Sequence, residues 1–534
     1  MMILLLHPQA SGLITVRMFF NMFYKLLSLF LILIILNGCG GGGKGIPDQL
    51  SALPKEEDNS SKILNPNTEI FIPKESFETP EYKNQWGLDF INASDAYSYG
   101  ASGKGVVVAV VDEAIDWGHH EFLKANILHP ESVLTYSGNR EPTPLEKFHG
   151  TATSSIIAGR KDDELVDKNM HGVAFDAQIL FVAVELGSPP SDGEYEPIDL
   201  PAFSWELFDE QESEFYKALS FESDVINNSF GFTGQITDYS RETLENTFPK
   251  LINTFANEQE TIFVWSAGNY NGIIDTDGET VSASNPGILA GLGYYFPELA
   301  KNNVAVVAVD QNGDIAEFSN RCGVAKEFCI AAPGVKVPLA IPNNLFNSLT
   351  EREKEGFNKD VLDYLEDHPT KAYLLGSGTS FSAPHVTGAI AVLKELFKNN
   401  LSSVQILERL FNTANKEGKY SNREIYGQGL LDLKTASSPV GSTLFYSGSS
   451  IYSDIIPTVN SYVTTSKSFG DALKNSLGNT KLSVFDALGA PFSIPASSFV
   501  KNIIPSSNAM ERLFNFKEKK YGYISSNGFE FYSS

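Results

Sequence analysis

The chain has 534 residues, well beyond one ordinary domain of about 100–200, and its 42% hydrophobic and 20% charged content excludes wholesale disorder. The 40 basic and 65 acidic side chains leave a net charge of −25, which argues against a general nucleic-acid binder, because phosphate neutralisation needs clustered Lys and Arg. Three cysteines cannot staple a domain of this size, so the fold must rest on its core.

The chain opens with a candidate export leader. Leu26 to Leu36 is an uncharged apolar run after Lys25, of signal-peptide length and short for a membrane span. It ends in Leu36-Asn37-Gly38-Cys39, which resembles the cleavage signal of bacterial lipoproteins, with Cys39 lipidated as the new N-terminus. The alternatives are an ordinary signal peptide or an uncleaved anchor. Starting at Met18 or Met22 would give a leader of more usual layout. Residues 1–38 are thus read as signal peptide and 39–80, which begin Gly40 to Gly43 and lack apolar periodicity, as a flexible tether.

From about Trp86 the pattern changes. Val106–Val111, Ile179–Val184, Val225–Asn227, Thr261–Trp265 and Val304–Val309 are strand candidates, the first a continuous β-branched run suited to burial on both faces. Thr151–Ala158, Gln211–Phe221, Ser240–Gln259 and Ser382–Leu396 are helix candidates between and after them. The alternation predicts an α/β fold, a mostly parallel sheet with helices on both faces, whose site lies outside the carboxyl ends of the strands.

The chemistry-bearing residues fall at such ends or at helix starts. Asp112 follows the first strand, His149 opens a helix in His149-Gly150-Thr151, and Ser380 stands in Gly378-Thr379-Ser380-Phe381-Ser382-Ala383-Pro384 before the long apolar helix. A serine hydroxyl needs an imidazole to take its proton, and the imidazole needs an acid to fix its tautomer. The helix start offers free N–H groups for an oxyanion, and Pro384 fits a first turn whose N–H groups have no intrahelical partner. Asn269, in Ser266-Ala267-Gly268-Asn269 after the fourth strand, offers a second oxyanion donor; a plain turn Asn beside Gly is the other reading.

These motifs, in this order, resemble the subtilases, the subtilisin-like serine proteases. Asn228-Ser229-Phe230-Gly231 and Tyr426-Gly427-Gln428-Gly429 add to the match, which covers about residues 81–437. The resemblance implies a triad of Asp112, His149 and Ser380, an oxyanion hole of Asn269 and Ser380, and a substrate cleft bordered by Ser229, Phe230, Gly231, Ser266, Ala267 and Gly268. It implies no required cofactor; calcium is a common structural ion in the family, but no acid-rich loop here places it, and no metal ligand is assigned. The chain departs from the family where Glu113-Ala114 replace the usual Ser or Thr and Gly, and where 348–370 adds a helical excursion before Ser380.

Other candidates carry less. His385 reads as a packed helix residue and the adjacent His119 and His120 as surface or loop histidines. Cys322 and Cys329 lack two further ligands at zinc spacing, so an exported chain favours a disulfide, leaving Cys39 as the odd one. An α/β-hydrolase reading fails: Ser382 stands where Gly-x-Ser-x-Gly needs its last glycine, and the only His after Ser380 is His385.

The expected function is a secreted, surface-attached serine endopeptidase of the bacterial cell envelope, an outer-membrane or surface lipoprotein held by a lipidated Cys39 and acting on protein or peptide substrates. The alternative is a weakly active or inactive subtilase-fold binding protein, favoured only by Glu113-Ala114. Residues 185–214 hold ten acids and no Lys or Arg, which as a cleft rim would favour basic substrates and otherwise is a solvated insertion. Residues 438–534 read as an irregular, β-leaning linker and extension. With Val484-Phe485-Asp486-Ala487-Leu488-Gly489 the junction is similar to that of autotransporter subtilases, but 93 residues from Ser442 to Ser534 barely supply eight strands of about 9–11 residues. The expectation is no barrel in this chain, either because it is cut from a longer frame or because Cys39 alone anchors it, and retained peptidase activity without 442–534.

Overall fold

The apolar runs become the strands of one sheet: β1 (Val107–Asp112), β2 (Gln178–Ala183), β3 (Val225–Asn228), β4 (Ile262–Ser266), β5 (Asn303–Val309) and β6 (Cys329–Pro333). All are parallel, in the order β2-β1-β3-β4-β5-β6. The computed structural model describes residues 71–534 except 123–126, 129–141, 163–169, 185–204, 233, 273–279, 356, 358, 370–371, 399, 447–454, 459–460, 467–471, 504–522, 527–528 and 534. The leader, residues 39–70 of the tether with Cys39, and most of the acidic 185–214 stretch lie outside the described residues; the described end of the tether is not flexible as expected, since Phe77 packs against the core and the Ile72 N–H donates to the Ser98 carbonyl.

The strands are apolar throughout because both faces are covered. Val108, Val110, Val264 and Val306 enter one core; their neighbours Ala109, Val111, Trp265 and Val307 enter the other. Successive side chains on a strand point to opposite faces, so each run feeds two cores at once. The longer helices are α1 (Glu146–Ala158), α2 (Trp205–Glu222), α3 (Pro249–Asn257), α4 (Lys359–Asp367), α5 (Thr379–Leu396) and α6 (Ser403–Thr413). α5 lies across the first face with Ile390 and Leu393 fully buried, and α2 and α3 cover the second with Tyr216 and Phe255.

Several boundaries differ from the sequence reading. The 240–259 helix is two, Arg241–Thr247 and α3, because Pro249 cannot continue a helix but starts one well. α1 begins five residues early, where Thr143 and Glu146 exchange hydrogen bonds in the manner of a capping box, so His149 lies within the helix and does not open it. Pro384 is likewise inside α5, not in its first turn.

Two features frame the site. An antiparallel pair, β7 (Val337–Ala340) and β8 (Tyr373–Gly376), brackets the helical excursion, whose Leu345, Leu349 and Leu365 pack on Ala152 and Ile156 of α1 and on Phe381. Packing also runs past residue 437. Of the strands β9 (Leu444–Tyr446), β10 (Ile455–Pro457), β11 (Ser461–Ser466), β12 (Lys481–Phe485), β13 (Pro491–Pro495), β14 (Val500–Ile503), β15 (Tyr523–Ser526) and β16 (Phe529–Ser533), β10-β9-β12-β13 form one sheet and β14-β11-β16-β15 another. Val484, Phe492, Ile494 and Phe499 share the first core with Leu396, Phe397 and Leu410, so part of the extension is built into the domain expected to end at 437.

Candidate active site

The strand order reverses at β1: the chain steps out to β2 and returns to place β3 on the other side. Crevices at such reversals, beyond the carboxyl ends, are where α/β sheets bind ligands. Asp112 ends β1, Ser229 follows β3 and Ser266 ends β4, and the register sets these ends side by side.

Asp112 is buried, and every hydrogen bond it accepts orients it. Oδ1 accepts from His149 Nδ1 at 2.7 Å and from the Glu113 N–H at 2.8 Å; Oδ2 accepts from Thr153 Oγ1 at 2.9 Å. Thr153 lies one turn after His149 on α1, so that helix supplies both the imidazole and the hydroxyl that holds its partner. Nδ1 is thereby fixed as the N–H and Nε2 as the basic nitrogen. Burial opposes charging His149, but the charge and hydrogen bond of Asp112 outweigh it, with Glu113 adding, and lift the imidazole to about 9. Glu113 is pushed up to about 7, first by burial; His149 opposes the rise and Asp112 and Glu146 add to it.

Ser380 is the second residue of α5. Its Oγ donates to the Ser229 carbonyl at 3.1 Å, and the Ser229 hydroxyl donates to the Ser380 carbonyl at 2.8 Å. The second bond explains Pro384. In a regular helix the N–H of residue 384 would satisfy the carbonyl of residue 380; proline has none, and Ser229 takes its place. The Phe381 ring lies 5.8 Å from that of His149, which brings the α1 and α5 parts of the site together.

Asn269 faces the same helix start. Its Oδ1 accepts from the Thr379 N–H and from Thr379 Oγ1, both at 2.9 Å. A backbone N–H can only donate, so the carboxamide oxygen must face Thr379 and Nδ2 must face away. A Cβ added to Gly378 would lie 3.6 Å from Nδ2, which puts that nitrogen beside the chain leading into Ser380. Along the walls, Ser229, Ser266, Ala267 and the buried end of β3 are packed, whereas Phe230, Gly231 and Gly268 are half-exposed; nothing lies within 4 Å of a Cβ added to Gly231.

Cys322 and Cys329 form a disulfide with Cα atoms 5.7 Å apart. His385 is buried with Nδ1 on the Phe381 carbonyl at 2.8 Å. His119 lies in a loop, one of the two places expected for it, but it is buried there and not at the surface. Its Nε2 meets the Ala372 carbonyl at 3.1 Å and its ring stacks on His120, which bonds the Tyr373 hydroxyl. Among the described residues, no three His, Cys, Asp or Glu side chains gather as ligands for a metal ion. Sequence reasoning missed Thr153 and Thr379; their spacing from His149 and Ser380 was the available signal.

The subtilase family model matches residues 103–429, more than half of the chain, and the chain belongs to that family. It is similar to an extracellular serine protease of Serratia marcescens (27% identity over 381 residues, covering 68% of this chain and 34% of the relative). It is also similar to serotype-specific antigen 1 of Mannheimia haemolytica (29% over 440 residues, 72% and 43%) and to subtilisin NAT of Bacillus subtilis subsp. natto (26% over 384 residues, 71% and 79%). The chain spans about a third to two fifths of the length of the first two relatives. Among the described residues no helix is long and apolar enough to cross a membrane.

Proposed function

We propose that this chain is an exported serine endopeptidase that cleaves protein or peptide substrates through an acyl-enzyme. The observation that carries the reading is the 2.7 Å bond between His149 and Asp112, beside a helix start that presents Ser380 and the Asn269 amide together. Ser380 Oγ leaves the Ser229 carbonyl, gives its proton to His149 Nε2 and attacks the scissile carbonyl. The oxyanion accepts from Asn269 Nδ2 and the Ser380 N–H; His149 then protonates the leaving amine, and water reverses the sequence to release the acid. Asp112 stays ionised and stabilises the imidazolium.

Ser380→Ala is expected to abolish turnover and fluorophosphonate labelling with the fold intact. Asn269→Ala is expected to lower kcat by about 10²–10³-fold, the range known for the corresponding donor of subtilisin itself and not worked out from this chain. Cleavage by Ser380→Ala at the wild-type rate overturns the assignment. The second reading, a feebly active binding protein, is favoured by Glu113 beside Asp112; an unlabelled Ser380 in folded protein would decide for it.

Attachment to a membrane through a lipidated Cys39 belongs to the same proposal. The wild type should fractionate with membranes and Cys39→Ala should be soluble; membrane retention of the variant would refute it.

A further inference from the structure

Asn269 is a useful oxyanion donor only if its main chain is held still, and that chain is a turn with Gly268 at φ +111°, a region that disfavours any residue with a Cβ. Thr379 orients the Asn269 side chain, but the peptide groups on both sides of it are held by one other residue, Asn320. The Asn320 N–H donates to the Gly268 carbonyl at 2.9 Å, and its Oδ1 accepts from the Tyr270 N–H at 2.9 Å. Asn320 is fully buried, and its Nδ2 donates to the Asn285 carbonyl at 3.0 Å. A Cβ on Gly268 would come within 2.9 Å of that nitrogen, so clasp and turn are in close contact.

Asn320 is itself fixed from both sides. The Arg321 N–H donates to the Ala283 carbonyl at 2.9 Å, and Asn285 takes the Val324 N–H on its Oδ1 at 3.0 Å. The next residue, Cys322, is tied to Cys329 at the start of β6. A rigid loop therefore grips the carbonyl before Asn269 and the amide after it.

We infer that Asn320 is a positioning residue of the oxyanion hole: it fixes the Gly268–Asn269–Tyr270 main chain so that the Asn269 amide meets the developing oxyanion. This rests on the reading of Asn269 given above. The oxyanion position differs from that of the ground-state carbonyl oxygen, so displacement of the donor weakens the transition state more than substrate binding.

The test is a double-mutant cycle on the full chain with a peptide substrate, with thermal melting and the end-point of fluorophosphonate labelling to count folded sites. Asn320→Ala should lower kcat by about 10–100-fold, as a misplacement near 1 Å does, with KM changed by less than about threefold. In the Asn269→Ala background the same substitution should change kcat by less than about threefold, because the donor it positions is gone. Asn320→Asp keeps the volume and the acceptor facing Tyr270. Its kcat should fall less, and it carries the same cycle if the alanine variant does not fold. Should Asn269→Ala leave kcat unchanged, the oxyanion role falls and this inference with it. Should Asn269→Ala lower kcat while Asn320→Ala does nothing, or costs the same in both backgrounds, only the inference about Asn320 falls.

Discussion

The buried pair of Arg409 and Asp486 ties the C-terminal sheet to the peptidase core, and its removal has a calculable consequence. The side chains are 1% and 0% exposed and meet at 2.7 Å. Asp486 also accepts from the N–H groups of Val440 (2.9 Å), Leu488 (3.0 Å) and Ala490 (2.8 Å). Arg409 donates to the carbonyls of Ala436 and Ser438, and its guanidinium lies over Phe397 and Phe492. Asp486→Ala leaves a buried cation and three N–H groups without their acceptor. Breaking such a pair costs about 3–5 kcal/mol, a large part of the roughly 5–15 kcal/mol that holds a domain together. Replacing both partners, Arg409→Met with Asp486→Leu, should recover part of the loss but not all, because the three N–H groups remain unmet. Urea unfolding followed by Trp fluorescence, in the Ser380→Ala background to prevent self-digestion, measures both variants against their parent. A loss below about 1 kcal/mol for Asp486→Ala, or a separate transition that leaves the peptidase part unaffected, would refute the reasoning. By the same packing, deletion of 442–534 strips Val484, Phe492 and Ile494 from the core and should destabilise the enzyme, whatever part of the peptidase activity survives it.

Activity should depend on pH through His149, which must be neutral to accept the Ser380 proton. Since Asp112 raises it above the usual 6.5, kcat/KM should climb with pH with a midpoint above 6.5, and Asp112→Asn should move that limb down while lowering kcat by about 10⁴-fold. The stability supplied by the charged pair is present below pH 6.5 and lost as pH rises through about 9, which melting of Ser380→Ala protein across that window would detect. An acid limb centred below 6.5 would contradict the geometry.

Much was determined by the sequence alone. Valine-rich runs such as Val106–Val111, alternating with helical stretches, suit strands covered on both faces and pointed to the parallel sheet, and the motifs around Asp112, Asn269 and Ser380 lie where short turns leave strands or a helix begins, with His149 further inside its own helix. Their chemistry is local, so it is legible in a few adjacent residues. Four things needed the tertiary structure. Ser229 satisfying the carbonyl orphaned by Pro384 joins residues 151 positions apart, and Asn320 clasping Asn269 joins two separate loops; no local pattern encodes either contact. His119 read as a surface or loop histidine; it is a loop residue that is buried because the chain around Ala372 and Tyr373 folds over it. The packing of residues beyond the expected domain end was hidden for the same reason. Composition turns polar after Ser437, but Asp486 returns to Arg409 across 77 residues, and only packing shows that these distant side chains complete one core.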